Sequence, residues 1–249
     1  MDVFALTRAL IDLESITGNE ERVGAYLDDF LAPLAQRYGG SVERMEVEPR
    51  RFNVLAQWGE RIDVTLSTHI DTVPPFVAAR EDAEHIWGRG ACDTKGIIAS
   101  MIAAVEKLLE AGQRNFALLF VVGEERNSAG AYRASEQPRG SRFLINGEPT
   151  ENRLALGTKG ALRYEVSAKG KMAHSAYPEL GDSAIHKLVD VLADIRRVPL
   201  PVDPVLGPGS IHVAHTLDER VPKRQLLEAV EIYQRMVRQL WKLCNLESK

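Results

Sequence analysis

Four short segments concentrate acidic and histidine side chains, and each follows a strand-like stretch of sequence. The first reads Ser67-Thr68-His69-Ile70-Asp71-Thr72-Val73-Pro74-Pro75. Side chains two apart on an extended segment point the same way, so His69 and Asp71 share a face. One can ligate a cation while the other orients the ligand. Taken alone, such a pair also describes a satisfied structural histidine. The second segment is Trp87-Gly88-Arg89-Gly90-Ala91-Cys92-Asp93-Thr94-Lys95-Gly96. Asp93 sits on a glycine-rich loop before a helix, as an N-cap or as a carboxylate bridging two cations. The loop lacks the Gly-Lys-Ser/Thr ending of a phosphate-binding loop and the third glycine of a dinucleotide site. Cys92 reads as a packed thiol.

The third segment is Val121-Val122-Gly123-Glu124-Glu125-Arg126-Asn127. Adjacent glutamates after a buried strand are costly unless paired or coordinated; the alternative is a solvated loop start. One carboxylate can ligate while its neighbour takes a proton from water. The fourth segment, Leu144-Ile145-Asn146-Gly147-Glu148-Pro149-Thr150, adds Glu148, by itself an ordinary loop acid. The ordered set is more informative than any member. Each segment falls at the C-terminal end of a strand, where open α/β sheets place ligand sites. One histidine with several carboxylates suits zinc, cobalt or manganese. Carboxylate-bridged cations roughly 3.5 Å apart can hold a nucleophilic hydroxide between them.

These segments need rigid elements to position them. Residues 2–14 and 20–37 read as amphipathic helices, the second with Val23, Leu27, Leu31 and Leu34 at helical spacing. Thr17-Gly18-Asn19 breaks the chain between them. Residues 53–58 and 64–68 read as strands, residues 95–111 as an apolar helix, and Phe116 to Val122 as a strand covered on both faces. Residues 161–168 and 210–213 read as further strands and 182–197 as a helix, joined by a proline-rich connection. A terminal helix carries Leu226, Val230, Tyr233, Val237 and Leu240 on one stripe. The stripe reads as core packing, with a partner-binding helix as the alternative. The pattern implies an α/β fold, a mixed, mostly parallel sheet sandwiched by helices.

Composition bounds the rest. The chain has 249 residues, 45% hydrophobic and 27% charged, with net charge −4. A sequence pI near 5.9 argues against a nucleic-acid footprint. No apolar run is long enough to span a membrane, and the N-terminal residues do not read as a signal peptide. Two cysteines, Cys92 and Cys244, make no disulfide framework. The expected location is the cytoplasm.

The motifs THIDTVPP, GRGACDTKG, GEERNSAGA and NGEPT together resemble the M20 metallopeptidase family. Its members include acetylornithine deacetylase, succinyl-diaminopimelate desuccinylase, aminoacylase-1 and glutamate carboxypeptidases of the carboxypeptidase G2 kind. The resemblance implies a zinc-exopeptidase-like catalytic domain followed by a partial α+β lid domain, and two divalent ions, Zn2+ or Co2+. By position, His69 and Glu148 resemble ligands of one ion, Asp93 the bridging ligand and Glu125 a ligand of the other. Asp71 resembles the partner that orients His69, and Glu124 the general base. His174, in Gly170-Lys171-Met172-Ala173-His174-Ser175-Ala176-Tyr177-Pro178, resembles a histidine that reaches a neighbouring subunit's site and stabilises the oxyanion there. A homodimer is implied, and so is hydrolysis of N-acyl amino acids or short peptides, with an acetylornithine deacetylase-like deacylase the leading expectation.

The resemblance stops near Val213. The expected domains are 1–157 (catalytic, incomplete), 158–213 (partial lid or dimerisation domain) and 214–249 (a helix outside the family), as in a C-terminally truncated chain. The family's last histidine ligand has no expected counterpart. His212 and His215 read as opposite faces of a lid strand, and His85 and His186 have no motif context. The alternative function is therefore a catalytically impaired fragment that binds metal or a partner without turnover.

Overall fold

The computed structural model describes residues 1–155, 165–197 and 213–246. The chain divides into two compact units, Met1–Leu154 with Pro208–Lys249, and Ala155–Gly207.

The first unit opens with helix α1 (Val3–Ile11), capped by the Asp2 carboxylate, which accepts from the amides of Phe4 and Ala5. Helix α2 (Glu21–Arg37) follows and buries Val23, Leu27 and Leu31, three of the four expected stripe residues. Strands β1 (Ser41–Glu48), β2 (Arg51–Trp58) and β3 (Val64–His69) come next. Two short strands, β4 (Arg80–Glu81) and β5 (His85–Trp87), precede helix α3 (Gly96–Glu110). Then come β6 (Phe116–Val121), helix α4 (Ala129–Glu136) and β7 (Phe143–Asn146).

The main sheet has the order β1-β2-β6-β3-β7. β3 lies parallel to both β6 and β7, whereas β2 runs antiparallel to β1 and β6. Four strands thus point one way and β2 alone opposes them. β1 escapes the sequence pattern because it is an edge strand with only Met45 buried, so it carries no apolar alternation.

One face of the sheet supports the large core. Val54, Ala56, Trp58, Leu66, Leu118 and Phe120 pack there with side chains of α1, α2 and α3. The other face carries a small cluster of Met45, Leu55, Ile62 and Ala117, partly covered by Ala134 of α4. Strand β8 (Arg220–Pro222) and helix α6 (Lys223–Leu246) complete the unit. β8 adds to the small sheet in the order β4-β5-β8. Leu226, Val230 and Val237 of α6 are buried, and Val230 and Val237 belong to the same core as α3. Residues 214–246 are therefore part of the first unit rather than an appendage, because their apolar stripe has the core to bury against.

In the second unit the described residues comprise a 3-10 turn (Pro178–Leu180), a bridge between Lys171 and Asp182, and helix α5 (Ala184–Ile195). The Ser183 hydroxyl caps α5 by accepting from the His186 amide. Ile185, Val189 and Leu192 are exposed. Much of the expected strands 161–168 and 210–213 lies outside the described residues.

Candidate metal centre

The parallel strands deliver the acidic segments to one place. β3 ends at His69, paired with Val121, the last residue of β6. The Ile70 amide donates to the Val121 carbonyl, 2.9 Å, so the chain leaves both strands in register. Beside them, the Gly147 amide donates to the Ser67 carbonyl and the Thr68 hydroxyl donates to the Gly147 carbonyl. Glu124, Glu125 and Glu148 therefore emerge around His69.

Asp71 does more than face His69. Its carboxylate accepts from the amides of Glu124 (3.0 Å) and Glu125 (3.2 Å) and from the Thr17 hydroxyl (2.8 Å). It thereby fastens the turn that presents both glutamates. His69 Nδ1 lies 2.9 Å from the Asp71 carbonyl and 3.4 Å from its carboxylate. A carbonyl only accepts, so Nδ1 carries a proton and Nε2 is the nitrogen left for a ligand.

Asp93 is reached by a tight loop. Gly90 takes φ +86°, where a Cβ would meet Lys95 and Thr72 at about 3 Å. The Asp93–Thr94 peptide is cis, and the Thr94 hydroxyl donates to the His69 carbonyl. The Lys95 ammonium donates to the Leu13 carbonyl, 2.6 Å, and burial pulls its pKa down to about 7. The Asp93 carboxylate then stands between two histidines, Oδ1 at 2.9 Å from His69 Nε2 and Oδ2 at 3.2 Å from His215 Nε2. His215 Nε2 is also 2.9 Å from Glu125 Oε1.

Two groups result, each able to offer one donor atom per residue to a single ion: His69, Asp93 and Glu148, and Asp93, Glu125 and His215. Asp93 belongs to both. The expectation that the second group lacks a histidine is corrected, since His215 occupies that position. His215 sits in a turn at φ +62°, not on a strand, so the alternation that set it apart does not apply. His212 lies outside the described residues.

The electrostatics of the metal-free chain fit a cationic occupant. With Nδ1 protonated, a neutral His69 would aim the Nε2 lone pair at the Asp93 carboxylate, an arrangement that calls for a proton or a cation between them. Burial pushes the His69 pKa down, but the hydrogen bonds it donates to Asp71 and Asp93 outweigh it and hold it well above the ordinary value. Burial raises Glu125 and Glu148 to about 7, with the Asp93 charge adding to both. Contact with Asp93 raises His215 to about 9. Burial opposes ionisation of Asp93, yet the two histidines hold its pKa low. Glu124 is exposed, and its carboxylate lies 4.0 Å from His69 Nε2 at the mouth of the cluster.

The peptidase family M20/M25/M40 model matches residues 65–239, a span holding every residue of both groups. The chain belongs to this family. The match runs well past Val213, through His215 and most of α6, where the motif resemblance had stopped. A peptidase M20 domain-containing protein of Schizosaccharomyces pombe is 37% identical over 221 residues, covering 85% of this chain and 54% of that one. A probable carboxypeptidase of Uncinocarpus reesii is 36% identical over 228 residues, covering 79% of this chain and 50% of that one. This M20 chain thus spans about half the length of these relatives. A tripeptidase from Staphylococcus aureus shares the fold, with TM-score 0.55 and 18% identity over 96% of this chain and 72% of that one.

Of the residues singled out in the sequence, six converge: His69, Asp71, Asp93, Glu124, Glu125 and Glu148. His174 lies on an exposed turn of the second unit, where its Nδ1 accepts from the Ala176 amide. Sequence reasoning missed His215 and also Glu219, which is buried against the Asp93 loop. No sequence signal pointed to Glu219, because the need of Arg89 for an acid shows only in its burial.

Proposed function

We propose that this M20 chain hydrolyses the amide bond of short peptides or N-acyl amino acids at a site holding two divalent ions, with zinc or cobalt the best fit to the donor set. The observation that carries the reading is the pair of ligand groups joined through Asp93. One histidine and two carboxylates per group is a borderline donor set suited to these metals. When bound, such ions polarise a carbonyl oxygen and acidify water.

The remaining work falls to the chain. His69 is held in one tautomer by the Asp71 carbonyl, so its ligating nitrogen is preset. Asp71 holds the Glu124 and Glu125 amides, which fixes the glutamate turn against the histidine strand. Glu124 is the general base: it takes the proton from the attacking water and returns it to the leaving amine as the C–N bond breaks. Its exposure at the mouth suits a group that meets both water and substrate. The carboxypeptidase names of the relatives favour a peptide carrying a free carboxylate over an acetylornithine-like substrate. The possibility of metal binding without turnover rested on a missing histidine and an unmatched tail; His215 stands in the second group, and the family match runs to residue 239.

The test is titration of the metal-free chain with Zn2+ or Co2+, followed by assay against dipeptides and N-acetyl amino acids. Binding of two ions and hydrolysis that disappears in Glu124→Gln is the expected result. A folded chain that binds no ion and cleaves none of the panel overturns the reading.

A further inference from the structure

The second ligand group depends on a segment far from the sheet in sequence, and one buried acid ties that segment down. Glu219 Oε2 lies 2.6 Å from Arg89 Nη1, with the two side chains only 1% and 2% exposed. Its Oε1 accepts from the amides of Gly90 (3.0 Å) and Asp93 (3.3 Å) and lies 3.6 Å from Cys92 Sγ. Backbone contacts run in parallel, since the Gly88 amide donates to the Glu219 carbonyl, 3.0 Å. Arg89 reaches the other way, donating to the carbonyls of Pro75 (3.2 Å) and His215 (3.5 Å).

We propose that Glu219, with Arg89, is a positioning residue for the second ion group, locking the His215 turn onto the loop that carries Asp93. This inference rests on the two-ion reading above. The contacts form a closed circuit. Glu219 holds the Asp93 amide, the Asp93 carboxylate meets His215, and Arg89 holds the His215 carbonyl. His215 itself needs that support, because its side chain is 43% exposed and it stands in a turn. His69, by contrast, is fixed by the sheet. A buried ion pair contributes little stability compared with an apolar replacement. What this one supplies is the distance between two ligands that lie 122 residues apart in sequence.

The experiment compares ion stoichiometry and affinity in the full chain, by calorimetric titration of the metal-free protein with Co2+ and by the visible spectrum of the bound ion. Glu219→Gln removes the charge and keeps the shape. Glu219→Asp keeps the charge but shortens the reach. His215→Ala serves as the reference for a lost ligand. The expected result is a second-ion affinity weakened roughly 10–100-fold in the Glu219 variants, with the first ion's affinity and spectrum unchanged. Glu219→Asp should lie between the native chain and Glu219→Gln. A role in global stability alone would lower the melting temperature without separating the two ions. Folded variants that bind both ions as the native chain does overturn the positioning role while leaving the two-ion reading intact. Failure of both variants to fold also overturns it, since Glu219 then serves the fold first. A native chain that binds no ion, or one whose stoichiometry His215→Ala leaves unchanged, defeats the two-ion reading itself.

Discussion

The two ligand groups share Asp93 yet are built differently. His69 is at the end of a central strand, 1% exposed, with both ring nitrogens engaged. His215 is half-exposed on a turn, reached only after the second unit has intervened in the chain. Glu148 follows β7 directly, whereas Glu125 depends on the Asp71 carboxylate and on its neighbour His215. The difference teaches where pre-organisation comes from. A parallel sheet aligns its strand ends without further contacts. A turn arriving from distant sequence must be docked, here by Glu219, Arg89 and the apolar side of α6.

The largest expected effect treats the groups as one machine. Glu124→Gln should lower kcat about 10²–10⁴-fold while both ions still bind, because general-base catalysis is worth that much. Steady-state assay with ion analysis checks it, and a variant that loses ions would assign Glu124 a ligand's role.

The sharpest contrast lies between the histidines. In the metal-free chain, His69→Ala should cost about 3–5 kcal/mol, because it removes the buried partner that Asp71 and Asp93 share. His215→Ala should change metal-free stability far less, since its side chain is partly solvated. Denaturant titration of the two variants decides, and equal losses would break the comparison.

Helix α6 supplies a third test. Leu226 is 2% exposed beside Val221 and Ala91. Leu226→Ala should cost about 2–5 kcal/mol and loosen the second group before the first. A neutral result would return α6 to the role of a partner-binding helix.

The smallest effect is a pH dependence. Glu125 and Glu148 rise from an ordinary 4.5 to about 7 in the folded chain, so it binds more protons than the unfolded chain across that window. Metal-free stability should therefore fall as pH rises from 4.5 to about 7. His215, raised from 6.5 to about 9, adds a contribution that is complete below 6.5 and lost as pH passes about 9. Asp71 and Asp93, held low, lose theirs only below their ordinary 3.8. Zn2+ or Co2+ should reverse the trend, because ligands must shed protons to bind. Melting temperatures measured with chelator and with metal should diverge as pH increases.

Much of the site was legible because it follows strands. His69, Asp93, Glu124, Glu125 and Glu148 each sit just beyond an apolar run or in a glycine-rich loop, patterns set by local periodicity. The stripe on α6 was legible too, though not what it packs against. β1 and the small β4-β5-β8 sheet were not, since short or edge strands bury too little to leave a pattern. His215 was misread for a related reason: alternation along a strand means nothing once the chain turns.

Local sequence determined which side chains could ligate and which strands and helices would carry them, because those choices depend on neighbours a few residues away. Only the tertiary structure decided that His215 completes the second group and that Glu219 meets Arg89. Those pairings span more than a hundred residues, and no local pattern encodes a contact between segments that meet only in the folded chain.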